Sequence, residues 1–247
     1  MRRKVQYIFQ DPQSSLNPAF TVYNSLSDSL LIHGVKSKLE RRKIIGEMLE
    51  KVNMRADQMD LFPNEFSGGQ RQRIGIARAL LVNPEIVICD EAVSALDVSI
   101  QAQVLNLLSS IQKDNNLTYM FITHDLSVVE YISNRIAVMY LGKIVEMGEA
   151  EDLFSNMFHP YTQALRSAVP IADINHKKER IVLEGDVPSL MHLPSGCHFH
   201  NRCKYCTQIC KEKEPELKEY NINGKKYFVA CHRAHEKLID LEVKSYE

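Results

Sequence analysis

Residues 66–73 are Phe66-Ser67-Gly68-Gly69-Gln70-Arg71-Gln72-Arg73, and an apolar run that ends in two acids follows them, Ile86-Val87-Ile88-Cys89-Asp90-Glu91. Two adjacent glycines after a serine, at the start of a helix, leave backbone N–H groups at a positive helix end, which favours a bound phosphate. A short apolar strand that ends in paired carboxylates favours a magnesium ion and an attacking water. Together the two segments predict chemistry on a nucleoside triphosphate.

The bulk composition is that of an ordinary globular protein. The 247 residues are 45% hydrophobic and 25% charged, and their formal net charge is -1. This charge gives no support to a nucleic-acid partner. The longest apolar runs, such as residues 136–141, are too short to span a bilayer, and the run after Lys4 is too short for a signal peptide. We therefore expect a cytosolic protein.

Strand and helix patterns alternate up to about residue 150, which predicts a layered α/β domain. The predicted strands cover 4–10, 86–89 and 119–123, with a hairpin at 136–146, and the predicted helices cover 21–53, 70–82, 98–114 and, as a pair, 151–170. The continuous apolar run at 86–89 is typical of a central parallel strand buried on both faces. From Ile181 onward prolines and cysteines replace long apolar patterns, which indicates a small module held together by a ligated metal more than by a large core.

Four separated motifs resemble those of the ATP-binding subunits of ABC transporters. They are a Q-loop glutamine (Gln10), the signature motif (Ser67, Gly68, Gly69 and Gln70), the Walker B aspartate and catalytic glutamate (Asp90 and Glu91), and the switch histidine (His124). The segment Ser94-Ala95-Leu96-Asp97 is similar to the D-loop and adds Asp97 to the site. The resemblance implies ATP and Mg²⁺ as cofactors, with magnesium held by Asp90, the attacking water polarised by Glu91, and the γ-phosphate contacted by His124.

Each of these motifs also has a plain structural interpretation. Gln10 could be a surface residue before a proline turn, residues 67–70 a glycine-rich helix start, and residues 90–91 an acidic exit from a strand. A histidine at the end of a strand is more often structural than functional. The order and spacing of all four motifs favour the functional interpretation.

One part of the ABC pattern does not occur in these residues. A P-loop needs the sequence Gly-x-x-x-x-Gly-Lys-Ser/Thr, and the two Gly-Lys pairs, at residues 142–143 and 224–225, do not satisfy it. In the family the P-loop precedes the Q-loop strand, where this sequence has only residues 1–6. We therefore expect an N-terminally shortened ATPase domain with some exposed apolar surface, which has weak or no ATPase activity on its own.

The C-terminal quarter resembles the extension of oligopeptide/dipeptide importer ATPases. The similarity lies in residues 159–165, 185–189 and 194–203, and the segment contains five of the six cysteines: Cys197, Cys203, Cys206, Cys210 and Cys231. The family's cysteine positions match all of these except Cys206, and some members hold a [4Fe-4S] cluster there. Four thiolates could equally bind Zn²⁺, and unligated thiols are a third interpretation.

The expected fold is α/β: a P-loop NTPase-type ABC ATPase domain in residues 1–150, incomplete at its N-terminus, with a helical subdomain at 13–65 and a small Cys-rich extension at 151–247. The resemblance implies a peripheral protein on the cytoplasmic face of the membrane. Its implied partners are a second ABC ATPase subunit (as a homodimer or heterodimer), transmembrane permease subunits and, indirectly, an extracytoplasmic solute-binding protein.

In the family two such subunits sandwich ATP head to tail, and each ATP site takes its signature motif from the opposite subunit. The expected function is therefore an energy-coupling subunit of an importer for oligopeptides or dipeptides, which mainly supplies the signature motif to its partner. The alternative is a non-catalytic interaction protein, derived from such a subunit, that binds a metal or an Fe–S cluster.

Overall fold

The chain folds into two compact units, residues 1–125 and residues 126–247. The computed structural model describes residues 3–11, 15–169 and 180–234. Within these ranges no helix combines the length and the apolar composition needed to cross a bilayer. The functional division at residue 150 that the sequence suggests stays a prediction.

The first unit alternates strands and helices, as the sequence predicts. Its elements are β1 (Val5–Ile8), α1 (Val22–Ile32), α2 (Lys38–Lys51), α3 (Gly68–Leu80), β2 (Ile86–Asp90), α4 (Val98–Asn115) and β3 (Thr118–Ile122). The helical pattern predicted over residues 21–53 divides into α1 and α2. Gly34, with a φ of 96°, follows α1, and the side chain of Ser37 accepts a hydrogen bond from Glu40 N at the start of α2. A left-handed glycine and an N-capping serine are local features that end one helix and begin the next.

The strands of the first unit form a parallel sheet in the order β1-β2-β3. Because all three strands run in the same direction, their carboxyl ends meet at one edge of the sheet. Gln10 follows β1, Glu91 follows β2 and His124 follows β3. The topology therefore brings three of the predicted site residues to the edge where open α/β sheets bind ligands.

The two faces of this sheet differ in burial. On one face Ile8, Val87 and Cys89 are buried, whereas on the other Ile86 is 38% exposed and Met120 is 56% exposed. The prediction that residues 86–89 are buried on both faces is therefore wrong, because in the described part of the unit no helix covers the second face. The apolar surface that we expected to be exposed lies on this face.

The second unit is built on an antiparallel sheet in the order β4-β5-β7-β6. Its elements are α5 (Leu126–Ile132), β4 (Arg135–Tyr140), β5 (Lys143–Glu149), α6 (Ala150–Asn156), α7 (Pro160–Ala168), α8 (Gln208–Glu212), β6 (Lys218–Ile222) and β7 (Lys225–Val229). The predicted hairpin is β4–β5, and the predicted helix pair is α6 and α7.

The C-terminal segment has a core, which the sequence analysis did not anticipate. Strands β6 and β7 form a hairpin whose turn residues, Asn223 and Gly224, have φ values of 53° and 77°. Asn-Gly with two positive φ angles is the preferred type I′ hairpin turn, so the signal was present in the sequence. Strand β7 pairs with β5, and Phe199 and Tyr227 pack into the same buried cluster as residues of β4 and β5. The expectation that this segment lacks a large core is therefore wrong, whereas its bound metal stays a prediction.

A buried carboxylate joins three elements of the second unit. Glu146 on β5 is fully buried. It accepts hydrogen bonds from Phe158 N at 2.6 Å, from His159 N at 3.2 Å and from the Tyr227 hydroxyl at 2.7 Å. Burial raises the pKa of Glu146, whereas the hydrogen bonds act in the opposite direction. The carboxylate links β5 to the start of α7 and to β7, because its oxygens satisfy donors from both elements.

We expect Glu146→Gln to lower the free energy of unfolding by about 1–3 kcal/mol, since the introduced amide would place a donor against a buried backbone N–H. Tyr227→Phe removes a single bond to the same carboxylate and is expected to cost a similar amount or less. The control is Glu184→Gln on the exposed surface, which should leave stability unchanged. Urea unfolding measures all three changes.

The same experiment has a pH signature. Because the native pKa of Glu146 is raised, the native state binds the proton more tightly than the unfolded state does. The stability of the wild type relative to Glu146→Gln should therefore rise as the pH falls from above the raised pKa to the ordinary carboxyl value. A pH-independent difference would contradict this account.

Candidate functional site

Three side chains converge on the carboxylate of Glu91 at the carboxyl edge of the parallel sheet. The Gln10 amide donates to Glu91 Oε2, and His124 Nδ1 lies 3.1 Å from Glu91 Oε1. Since a carboxylate can only accept, Nδ1 is the protonated nitrogen in this contact and Nε2 is left for another partner. The third side chain, Ser94, places its hydroxyl 3.4 Å from Glu91 Oε2.

The backbone of Glu91 is in an unusual conformation that aims its side chain. Its φ is 45°, a left-handed value that costs a residue with a side chain about 1–2 kcal/mol. Three hydrogen bonds hold it there: its N–H donates to Ile122 O at 2.8 Å, and its carbonyl accepts from Ser94 N at 3.1 Å and Ser94 Oγ at 2.8 Å. A strained residue that neighbouring bonds hold in place is a frequent feature of functional sites.

Asp90, the last residue of β2, is half-buried beside Glu91. Within the described ranges, its carboxylate has no hydrogen-bonding partner. Carboxylate oxygens at the carboxyl end of a strand are suitable magnesium ligands, so Asp90 would supply one ligand to the ion that the resemblance implies.

The signature residues form the start of α3. Ser67 is the N-cap residue: its hydroxyl accepts from Gln70 N at 3.3 Å, and the Gln70 side chain accepts from Ser67 N at 2.9 Å. This reciprocal capping box satisfies two of the backbone donors at the helix end. The amides of Gly68 and Gly69 have no acceptor in the parts of the chain that the structure describes. Two free N–H groups at the end of a 13-residue helix suit an anionic oxygen.

The two glycines of the motif have different surroundings. A Cβ at Gly68 would meet no atom within 4 Å, whereas a Cβ at Gly69 would lie 2.5 Å from Ile100 Cγ2. From the sequence alone we expected both glycines to permit the approach of a phosphate. The structure shows a second reason why position 69 requires glycine: a side chain there would collide with Ile100 on α4.

Asp97 is the exposed N-cap residue of α4, and its side chain makes no capping hydrogen bond. In the described ranges its carboxylate has no recorded partner. No hydrogen bond in these ranges joins the Gln10, Glu91 and His124 group to the signature residues. The structure thus presents two separate groups of predicted site residues in the first unit.

In the second unit, four of the five predicted cysteine ligands line a single cavity of about 110 Å³: Cys197, Cys203, Cys210 and Cys231. Burial raises the pKa of Cys197 to about 11, and it also raises the pKa of Cys203. Cys206 does not line the cavity, and its thiol donates to Thr207 O at 3.5 Å.

The donor chemistry of this cavity suits a thiolate-bound metal, but the arrangement does not. No group of three or more His, Cys, Asp or Glu residues in the described ranges is placed so that it could hold a metal ion. The residues as they stand therefore do not fit a [4Fe-4S] cluster or Zn²⁺, and the metal ligands remain a prediction from the sequence.

Two family profiles match the chain. The ABC transporter profile matches residues 1–94, and the profile of the oligopeptide/dipeptide transporter C-terminal region matches residues 145–210. The oligopeptide transport ATP-binding protein AppF of Bacillus subtilis (strain 168) is 50% identical over 234 residues, which are 94% of this chain and 70% of that protein. The chain belongs to the ATP-binding proteins of ABC peptide transporters. The resemblance inferred from the sequence is confirmed.

A second similar protein is also described as a transport ATP-binding protein. The dipeptide transport ATP-binding protein DppF of Haemophilus influenzae is 49% identical over 230 residues, which are 93% of this chain and 69% of that protein. Among solved structures, cbiO1 from Clostridium perfringens, part of the ABC transporter complex cbiONQ, aligns with a TM-score of 0.56 and 27% identity over 63% of this chain and 61% of its own.

A second solved structure is the ATP-binding cassette MJ0796 bound to ADP and Pi in a post-hydrolysis state. It aligns with a TM-score of 0.53 and 31% identity over 60% of this chain and 64% of its own. The ABC ATPase fold expected from the motifs is thus confirmed for the part of the chain that aligns. The chain spans less than two thirds of the length of either solved relative.

Three residues to which the sequence motifs gave no site role of their own lie at these sites in the structure. Ser94 contacts Glu91, Ile100 lies behind Gly69, and Gly196 adjoins the cysteine cavity. Gly196 carried a signal, since it directly precedes Cys197. Ile100 carried none, because its role depends on how α4 packs against α3.

The backbone beside the cysteine cavity requires a glycine at position 196. Its φ is 62°, and a Cβ there would collide with the carbonyl oxygen of Cys210 and lie 2.8 Å from the backbone of Lys211. We expect Gly196→Ala to lower the melting temperature of the second unit by more than Gly185→Ala does.

Gly185 is the matched control, because its φ is also positive, at 75°, but no atom of the described residues lies within 4 Å of a Cβ built there. The difference between the two variants isolates the collision from the cost of the left-handed conformation. Thermal unfolding followed by circular dichroism measures it, and equal effects of the two substitutions would rule out the collision.

Proposed function

We propose that this chain is an energy-coupling ATP-binding subunit of an ABC importer for oligopeptides or dipeptides, and that residues 1–247 mainly supply the signature motif to ATP held by a partner subunit. The observation that carries the proposal is the pair of unbonded amides at Gly68 and Gly69. They lie at a capped helix start where Gly68 faces open space. Such an end accepts a phosphate oxygen without displacing any internal hydrogen bond.

The Glu91 group is the hydrolytic half of the proposed site. Glu91 would orient and polarise the water that attacks the γ-phosphate. His124 would donate from Nε2 to a phosphate oxygen in its doubly protonated form, in which both ring nitrogens carry a proton. Asp90 would hold Mg²⁺, which when bound neutralises charge on the phosphates. Gln10 donates to the same carboxylate as His124, and its amide oxygen would be a ligand for the metal.

The partners follow from the relatives that transport peptides. We propose a head-to-tail dimer with a second ATPase subunit and docking to permease subunits on the cytoplasmic face of the membrane. A solute-binding protein would select the peptide. Residues 1–150 would carry the ATPase function, with the helical subdomain at 13–65, and residues 151–247 would be the extension. The binding energy for ATP is then shared between subunits, so closure of the dimer depends on the nucleotide.

Gly68→Ala tests this assignment. In a complex of the 247-residue polypeptide with a P-loop-bearing partner subunit, we expect ATP turnover to fall by about 10²–10³-fold, the range for loss of one preorganised donor. The added methyl group meets no atom of the described residues, so stability should be unaffected and only the approach of the phosphate should be hindered. Phosphate release measures turnover.

The matched control is Gly75→Ala, which lies on the same helix and also adds a methyl group with no atom within 4 Å. Turnover by that complex should equal the wild type. Because the 247 residues contain no P-loop sequence, the polypeptide on its own should hydrolyse ATP at a negligible rate. Appreciable turnover by the polypeptide alone, abolished by Glu91→Gln, would contradict the proposal.

A second candidate function is a non-catalytic interaction protein that binds a metal. The four thiols that line one cavity supply suitable donor atoms for it, but they would have to rearrange to ligate an ion. It predicts bound zinc or iron in the anaerobically purified chain. Cys210→Ser should then lower the metal content, whereas Cys206→Ser, which lies outside the cavity, should not. Metal analysis and visible absorbance provide the measurement, and a metal-free wild-type chain would exclude this function.

A further inference from the structure

We propose that Ile100 is a positioning residue for the signature motif. Its side chain packs against Gly69 and keeps the free amides of Gly68 and Gly69 in a fixed place relative to Asp97. The inference about protein structure stands on packing alone, and its consequence for ATP rests on the proposed function.

The contact is close and specific. The three nearest atoms that a Cβ built at Gly69 would meet outside its own helical turn all belong to Ile100: Cγ2 at 2.5 Å, Cβ at 3.8 Å and Cγ1 at 4.0 Å. The backbone of Gly69 therefore lies directly against this one side chain. Isoleucine is branched at Cβ and has one strongly preferred rotamer on a helix, so Cγ2 is a stiff contact surface.

A second contact ties the same two helices one turn further along. Arg73, four residues after Gly69, donates from Nη2 to Gln103 Oε1 at 3.0 Å. Its Nη1 also donates to the carbonyls of Val52 and Asn53, at 3.4 and 3.3 Å, directly after α2. The start of α3 is thus held to α4 by packing at Gly69 and by a hydrogen bond at Arg73.

The consequence concerns Asp97, which lies three residues before Ile100 at the start of α4. Because α4 is a continuous helix of 18 residues, its first turn moves as one piece. Displacement of the signature amides by a bound phosphate would therefore be passed to Asp97 through Ile100. We therefore expect the amides of Gly68 and Gly69 and the carboxylate of Asp97 to move together as one rigid body.

A double-mutant cycle at positions 69 and 100, which enlarges one side chain and shortens the other, tests the contact. Gly69→Ala should lower the melting temperature, and Ile100→Ala should also lower it. The double variant should nevertheless melt above Gly69→Ala, by about 3 °C or more, because the smaller side chain at position 100 makes room for the added methyl group. Strictly additive losses in the double variant would overturn the inference.

Backbone dynamics supply a readout that does not depend on folding of the Gly69 variant. The ¹⁵N order parameter of the Gly69 amide should be about 0.85 in the wild type and below about 0.6 in Ile100→Ala. The matched control is Val98→Ala in the same helical turn, whose side chain is 84% exposed, and it should keep the wild-type value. An unchanged order parameter in Ile100→Ala would also overturn the inference.

ATP turnover by the complex with a P-loop-bearing subunit separates this inference from the proposed function. If the cycle and the order parameters behave as expected but Gly68→Ala leaves turnover unchanged, the positioning role stands and the proposed function is wrong. If Gly68→Ala lowers turnover but Ile100→Ala changes neither the order parameter nor turnover, the function stands and the positioning role is wrong.

Discussion

The parallel pairing of β1, β2 and β3 is the constraint on which the first unit depends. The register pairs Tyr7 with Ile88 and Ile88 with Met120, so the three strands end at the same edge. A side chain that follows each strand then reaches the same point without any long loop. This is why Gln10, Glu91 and His124, which are far apart in the sequence, meet at one carboxylate.

The adjacent carboxylates of Asp90 and Glu91 have different electrostatic surroundings. Glu91 is held in a left-handed conformation and receives donors from two neighbouring strands, while the adjacent carboxylate of Asp90 has no recorded donor in the described ranges. Two neighbouring acids thus have different environments. One is oriented by hydrogen bonds, and the other is available to a cation.

The second unit depends on a buried carboxylate that lies at the junction of three elements, beside the apolar contact of Phe158 with Tyr227. Glu146 satisfies donors from the start of α7 and from Tyr227, and Phe158 and His159, which supply two of these donors, also line the cysteine cavity. Loss of one partner would leave a buried charge with unsatisfied groups around it, which is costly. The cavity wall is therefore coupled to the core of the sheet and not only to the loop that carries the cysteines.

Local signals in the sequence determined the helix that starts at Ser67, the acidic end of β2 and the family, because capping, glycine pairs and strand composition act over a few residues. The Asn223-Gly224 turn was as local and could have been recognised. Only the tertiary structure decided that Gly69 faces Ile100, which side of β2 is exposed, and that Cys206 does not line the cavity of the other four cysteines. These features depend on which surfaces pack together. The sequence pattern does not reveal which side chains of other helices or strands a residue will contact.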